Sequence, residues 1–186
     1  MSSFMGIMSS RAQNLEGFFQ PQKACVTGGA GFIGSHVVER LVAEGIETVV
    51  IDDLSVGKAE NLPRGVHLFL GDICDEEALK HALEGVDVVF HLAARVSIRD
   101  SFRSLVEDAR ANIMGTVYLL RALENSSVQR LVYASSMAVY GEAVGTPMNE
   151  GHPLDPASPY GIAKLAAERY ILNVCPGLKI RPRSEE

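Results

Sequence analysis

The sequence predicts a doubly wound α/β fold built on a parallel sheet, and three observations carry that expectation. Short β-rich runs alternate with longer helical patterns from Lys23 onward, the runs are continuously apolar, and a glycine cluster joins the first run to the first helix. Continuous Val/Ile/Leu runs suit strands covered by helices on both faces.

Residues 1–22 are polar and irregular. They lack the apolar stretch of ~7–15 residues that a signal peptide needs, so a disordered leader is expected. Ala24 to Thr27 forms the first strand, Phe32 to Ala43 the first helix and Thr48 to Ile51 the second strand. Val66 to Leu70, Val86 to Leu92 and Arg130 to Ser135 supply three more strands. Asp75-Glu76-Glu77 opens a helix with acidic residues at its positive end, and Gly85 sits just past its close. Ile113, Val117 and Leu120 recur at helical spacing within Leu105 to Glu124, and Tyr160 to Leu172 reads as the last helix after Pro159. The expected domain spans 23–175, followed by an irregular, charged tail over 176–186.

A chain of 186 residues suits one well-buried domain rather than two. The net charge of -6 and the absence of a dense Lys/Arg run argue against a nucleic-acid partner, which requires a basic stripe. Nothing approaches ~18 uninterrupted apolar residues, so no membrane partner is expected. Cys25, Cys74 and Cys175 are scattered without a C-x-x-C pair, which fits reduced thiols in the cytoplasm. The histidines have no metal-ligand spacing, and no metal is expected.

Thr27-Gly28-Gly29-Ala30-Gly31-Phe32-Ile33-Gly34 directly follows the first strand and opens the first helix. Glycines there let the backbone approach a pyrophosphate, the helix N-terminus offers free N–H groups, and the last glycine permits close packing of helix on strand. Asp52 lies 18 residues past Gly34, near the offset of about 20 at which an acidic residue hydrogen-bonds an adenosine ribose. A carboxylate there repels a 2′-phosphate, which favours NAD over NADP. Asp53 can share that role, and the plain alternative is a turn aspartate capping the strand.

Together with motifs further along the chain, these residues resemble the extended short-chain dehydrogenase/reductases, the group that includes UDP-glucose 4-epimerase. The family pattern T-G-x-x-G-x-x-G is met by Thr27, Gly28, Gly31 and Gly34, and Asp72-Ile73 is similar to its adenine contact. His91-Leu92-Ala93-Ala94 resembles its H-x-A-A stretch, and Asn112 its mid-helix asparagine. Ser135-Ser136-Met137-Ala138-Val139-Tyr140-Gly141 is similar to S-S-x-x-V-Y-G, and Tyr160-Gly161-Ile162-Ala163-Lys164 fits Y-x-x-x-K. The resemblance runs from Lys23 to Leu172 with the motifs in the family's order. It implies a Rossmann-type fold, bound NAD and a nucleotide-sugar substrate. It also implies cofactor contacts from Gly28, Gly31, Phe32, Ile33, Gly34, Asp52, Asp53, Asp72, Ile73, Leu92, Ala93, Ala94, Asn112, Tyr160 and Lys164.

Ser136, Tyr160 and Lys164 are the implied catalytic trio. Tyr160 and Lys164, at i and i+4, share one helix face. A free phenol is a poor base at neutral pH; a neighbouring ammonium and a cationic nicotinamide favour its ionised form. Such a tyrosine can take a proton from a sugar hydroxyl as hydride leaves the same carbon. By resemblance, Lys164 also holds the nicotinamide ribose and Ser136 hydrogen-bonds the reacting oxygen. Asn112 has a simpler reading as a residue that satisfies nearby backbone. His91 reads as a packed strand-end histidine rather than an acid or base.

Sugar dehydratases of this group carry an acidic residue just after the serine or threonine, to assist elimination. Met137 and Ala138 cannot transfer a proton, so the leading expectation is a nucleotide-sugar 4-epimerase. A net oxidoreductase on another hydroxyl or ketone remains open, as does an NAD-binding fragment without turnover. The last alternative arises because family members add a C-terminal substrate region. The expectation here is that the region is lacking, that the fifth strand is an exposed edge, and that NAD binding is weakened. Pairing of two copies through the helices at Leu105 to Glu124 and Tyr160 to Leu172 is a possible homodimer, by analogy alone.

Overall fold

The computed structural model describes residues 19–143 and 145–185. Its strands are β1 (Lys23–Thr27), β2 (Glu47–Asp52), β3 (His67–Leu70), β4 (Val88–His91), β5 (Arg130–Ala134) and β6 (Arg181–Glu185). All pairings are parallel, in the order β3-β2-β1-β4-β5-β6. The helices are α1 (Phe32–Ala43), α2 (Glu76–Ala82), α3 (Ile98–Ser101), α4 (Leu105–Ala109), α5 (Gly115–Leu123) and α6 (Pro159–Val174). Strand order reverses between β1 and β4, and in such sheets the crevice outside the C-terminal strand ends at that reversal receives the ligand.

Alternation along the strands feeds two cores. Cys25, Val49, Ile51, Val89, Leu131 and Tyr133 pack with Leu79 of α2, Leu119 and Leu123 of α5, and Ala167 and Ile171 of α6. Ala24, Val26, Val50 and Val88 point the other way and meet Val38 and Leu41 of α1. Burying each Val, Leu or Ile contributes about 1.5–3 kcal/mol, which explains why these runs contain almost no polar interruption.

Local chemistry sets the helix starts. Asp75 caps α2 by accepting from the Glu77 and Ala78 amides, and Gly85 follows the helix with φ +68°. Ser158 caps α6 by accepting from the Gly161 amide, with Pro159 in the first turn, where its missing N–H costs nothing.

Three boundaries differ from the sequence expectation. The end of the expected leader belongs to the body: the Phe19 ring lies 4.3 Å beneath the Arg130 guanidinium, and the Gln22 amide donates to Asp87 Oδ2 at 2.7 Å. The remainder of that leader, 1–18, lies outside the described residues. The single helix expected over Leu105 to Glu124 is interrupted by a π-helical turn, Arg110–Met114, because Asn112 is turned inward to serve other backbone groups.

The expected irregular tail contains β6, which lies beside β5 and takes over the sheet edge. Ile180 is buried and Leu178 packs on the core, which anchors a segment whose own composition is charged. An edge position also tolerates Pro182, since one side of an edge strand needs no ladder donor. The expected exposed edge at β5 is therefore corrected: β6 covers it.

Candidate active site

In an all-parallel sheet every strand ends at the same rim, so residues that follow strand ends are gathered together. The glycine turn follows β1, Asp52 closes β2, Asp72-Ile73 follow β3, Leu92-Ala93-Ala94 follow β4 and Ser135-Ser136 follow β5. The structure thus brings these strand-end candidates to one edge.

The glycines are required by backbone contacts. Gly28 has φ +69°, and a Cβ there would lie 2.7 Å from the Ala93 nitrogen. A Cβ on Gly34 would collide with the Gly28 carbonyl oxygen and lie 2.7 Å from Gly29 Cα, so α1 can press on the turn only as glycine. No side chain caps α1 and no acidic residue occupies its first turn. The helix therefore presents uncapped amides and its positive dipole end at the rim. Phe32 and Ile33 flank these amides with 81% and 62% of their surface exposed.

Asp52 is buried and already employed. Its Oδ2 accepts from the Ala30 amide and its Oδ1 from the Leu54 amide, both at 2.9 Å. It therefore locks the glycine turn to the end of β2 besides presenting negative charge at the rim. Leu54 holds φ +56°, the Gly57 backbone presses on Ala30, and Asn61 Nδ2 donates to the Ala30 carbonyl at 2.8 Å. Asp53 is exposed and accepts from Ser55 Oγ at 2.6 Å. Asp72 accepts from Arg110 Nη1 at 2.6 Å and from the Cys74 amide at 2.8 Å. Partial burial opposes its ionisation, but these donors and the guanidinium charge hold it below the usual carboxylate range. Ile73 supports the Gly115 backbone at the start of α5.

A buried relay joins β1, β4 and the π-helical turn. Thr27 Oγ1 accepts from the Leu92 and Ala93 amides at 3.2 and 3.1 Å, so its single proton goes to His91 Nδ1 at 2.8 Å. His91 must then carry its proton on Nε2 and donate to Thr116 Oγ1 at 3.0 Å, which in turn donates to the Asn112 carbonyl. Burial, with the charge of Lys164 acting the same way, pushes His91 down to about 3, so the ring is neutral. This supports the reading of His91 as a packed histidine. Asn112 Oδ1 accepts from the Arg95 amide and its Nδ2 donates to the Arg95 carbonyl and to Asp108 Oδ1. Its amide is spent on the loop after β4, in line with the simpler reading of that residue.

Ser136 lies just after β5, and Tyr160 and Lys164 lie in the first turns of α6, which packs against the serine segment. Gly161 lets the helix press directly on the Ala138 carbonyl, which brings the serine segment to the first turn of α6. Ser136 Oγ accepts from the Ala138 amide at 3.2 Å, so its proton is available for another acceptor. Tyr160 and Lys164 face inward, as i and i+4 spacing requires, while Ile162 points out. Lys164 is 3% exposed, with Nζ 4.2 Å above the Tyr133 ring. Burial pulls its ammonium down to about 8, opposed by the charge of Glu168. Burial, with the charges of Tyr160 and Glu168, pushes the Tyr133 phenol well above its ordinary value, and its hydroxyl donates to the Lys164 carbonyl.

Sequence reasoning missed Glu168, which is buried and accepts from Ser135 Oγ at 2.7 Å. Its signal was the same four-residue step that joins Tyr160 to Lys164. Arg110 was missed for lack of any local cue.

Among the described residues no helix is long and apolar enough to cross a membrane, and no cluster of His, Cys, Asp or Glu is arranged to hold a metal ion. UDP-glucose 4-epimerase from Azospirillum brasilense is 38% identical over 151 residues, covering 80% of this chain and 43% of that protein. The crystal structure of Thermus thermophilus UDP-glucose 4-epimerase in complex with NAD superimposes with a TM-score of 0.83 at 40% identity, over 87% of this chain and 53% of that one. The Thermotoga maritima UDP-glucose 4-epimerase structure with UDP-glucose gives 0.83 at 38% identity, over 87% and 54%. The chain spans about half the length of the relatives it matches. Residues 24–182 match the NAD dependent epimerase/dehydratase family, and the chain belongs to it.

Proposed function

We propose that this chain supplies the NAD-binding half of a nucleotide-sugar 4-epimerase, acting in the cytoplasm. The observation that carries the reading is the uncapped N-terminus of α1, pressed against a glycine turn and sharing one rim with Ser136, Tyr160 and Lys164. Uncompensated helix amides suit a pyrophosphate, and the buried Asp52 charge suits a ribose bearing two hydroxyls rather than a 2′-phosphate. Held by the glycine turn at Gly28 to Gly34 and by Asp52, NAD would supply the reversible hydride transfer at a sugar carbon that a change of configuration there requires.

The chain's own groups handle the proton. Tyr160 takes it from the sugar hydroxyl and gives it back on the return step, Ser136 donates to the same oxygen, and Lys164 places positive charge beside both. Met137 and Ala138 offer no second acid, which supports epimerisation over elimination.

Calorimetric titration tests the reading. NAD is expected to bind with at least tenfold preference over NADP, and Gly31→Val is expected to abolish binding, since a side chain there starts 3.3 Å from the Gly28 carbonyl. Wild-type chain that binds neither dinucleotide would overturn the proposal.

Pairing of two copies is part of the same reading. Val106 on α4 and Ile162 on α6 are 75% and 53% exposed, with Phe102 and Leu105 close in sequence to the former. Sedimentation is expected to show a dimer that Val106→Asp dissociates; a monomer at all concentrations would remove this element.

A further inference from the structure

We propose that Glu168 is a positioning residue for Lys164: a buried carboxylate that balances the ammonium's charge and, through Ser135, ties the serine segment after β5 to helix α6. The proposal rests on the reading of Lys164 as part of the reacting site.

Three observations support it. Glu168 lies one turn beyond Lys164 on α6, hence on the same face, and is only 7% exposed. A buried carboxylate needs a donor or a counter-charge, and its hydrogen-bond donor is Ser135 Oγ at 2.7 Å. Ser135 is the neighbour of Ser136, so the same bond fixes the strand-end backbone that carries the oxygen-binding hydroxyl.

Among the described residues, the other groups around Lys164 do not fill this role. Tyr133 on β5 presents its ring face, and the neutral His91 on β4 is bonded to Thr27 and Thr116. Tyr160 lies one turn back on α6, and Asp108 on α4 is bonded by Asn112 Nδ2. Arg181 and Arg183 on β6 are exposed and carry the wrong sign. Burial alone pulls the ammonium downward and Glu168 opposes that pull, leaving it at about 8. Without Glu168 the pull of burial would act unopposed, the lysine would give up its proton more readily, and the tyrosine would more readily lose its cationic neighbour. Sequence spacing makes the arrangement economical: Tyr160, Lys164 and Glu168 form one stripe of an uninterrupted helix.

The test is a pH titration of Lys164 by NMR on the full chain labelled with ¹³C-lysine, the resonance being assigned by its absence in Lys164→Met. Glu168→Gln keeps the shape and removes the charge; it is expected to lower the Lys164 midpoint by about one pH unit or more. Glu168→Asp, which keeps the charge but withdraws it by one methylene, is expected to fall between, and carries the test if the glutamine variant does not fold. Calorimetry with NAD should then show the affinity of Glu168→Gln falling about fivefold relative to wild type near pH 8, with recovery at pH 6. A folded variant whose Lys164 midpoint stays within about 0.3 pH unit of wild type would overturn the proposal. The titration needs no cofactor, so failure to bind NAD would count against the functional reading and leave this result standing.

Discussion

Lys164 is placed at a cost to stability, and removing it is expected to make the protein more stable. The ammonium is 3% exposed and burial brings it from 10.5 to about 8. At roughly 1.4 kcal/mol per pH unit, that gap corresponds to about 3 kcal/mol favouring unfolding while the lysine is charged. The sign comes from proton uptake. The folded value lies below the unfolded one, so the unfolded chain binds more protons between about pH 8 and 10.5 and stability rises across that window. Below pH 8 the full penalty is present. Lys164→Met keeps the stem volume, removes the charge and gives up the contact with the Tyr133 ring, itself about 1–2 kcal/mol when desolvated. The net expectation is a gain of about 1–2 kcal/mol at pH 7, or several degrees in Tm. Thermal unfolding of both chains from pH 6.5 to 10.5 reads it directly. A methionine variant that is less stable than wild type by more than about 1 kcal/mol at pH 7, with no change in the difference as pH rises, would refute the reasoning.

Other expectations come from single contacts. Gly34→Ala drives a methyl into the Gly28 carbonyl and should cost at least about 2 kcal/mol in urea unfolding; a loss under about 0.5 would show that the turn can yield. His91, held at about 3 against an ordinary 6.5, makes the folded state bind fewer protons than the unfolded state, so stability should fall as pH drops from 6.5 toward 3. His91→Leu should be less stable at pH 7, with Thr27 and Thr116 losing their partner, yet show a flatter Tm profile between pH 6.5 and 4. An equally steep acid limb would assign that loss to other groups. Cys25 and Cys175, buried and pushed up to about 12 and about 11, should stay unreactive toward a thiol reagent at pH 8 until the chain unfolds.

The fold was legible because its strands are apolar runs of the right length and its glycine turn sits where a strand meets a helix. Val49 to Ile51 and Val88-Val89 announce a sheet buried on both faces, and the structure buries them. What could not be read was the partner of each polar side chain. Asp52 sits where a ribose-binding carboxylate is expected, but periodicity cannot reveal that the Ala30 and Leu54 amides already hold both its oxygens. The π-helical turn escaped because Ile113, Val117 and Leu120 keep helical spacing through it, while its cause lies in Asn112 reaching the Arg95 backbone 17 residues away. β6 escaped for the converse reason. Its residues are charged, and only pairing with β5 makes them a strand.

The central claim is that a dinucleotide lies along the C-terminal rim of the sheet, from the glycine turn to the start of α6. Amide chemical-shift mapping of the ¹⁵N-labelled chain on adding NAD tests it most directly. The largest changes should fall on Gly31 to Gly34, Leu92 to Arg95, Ser136 and Tyr160 to Lys164. Changes centred instead on the cavity at the other end of the strands, lined by Gly45 to Thr48 and Arg64 to His67, would contradict it.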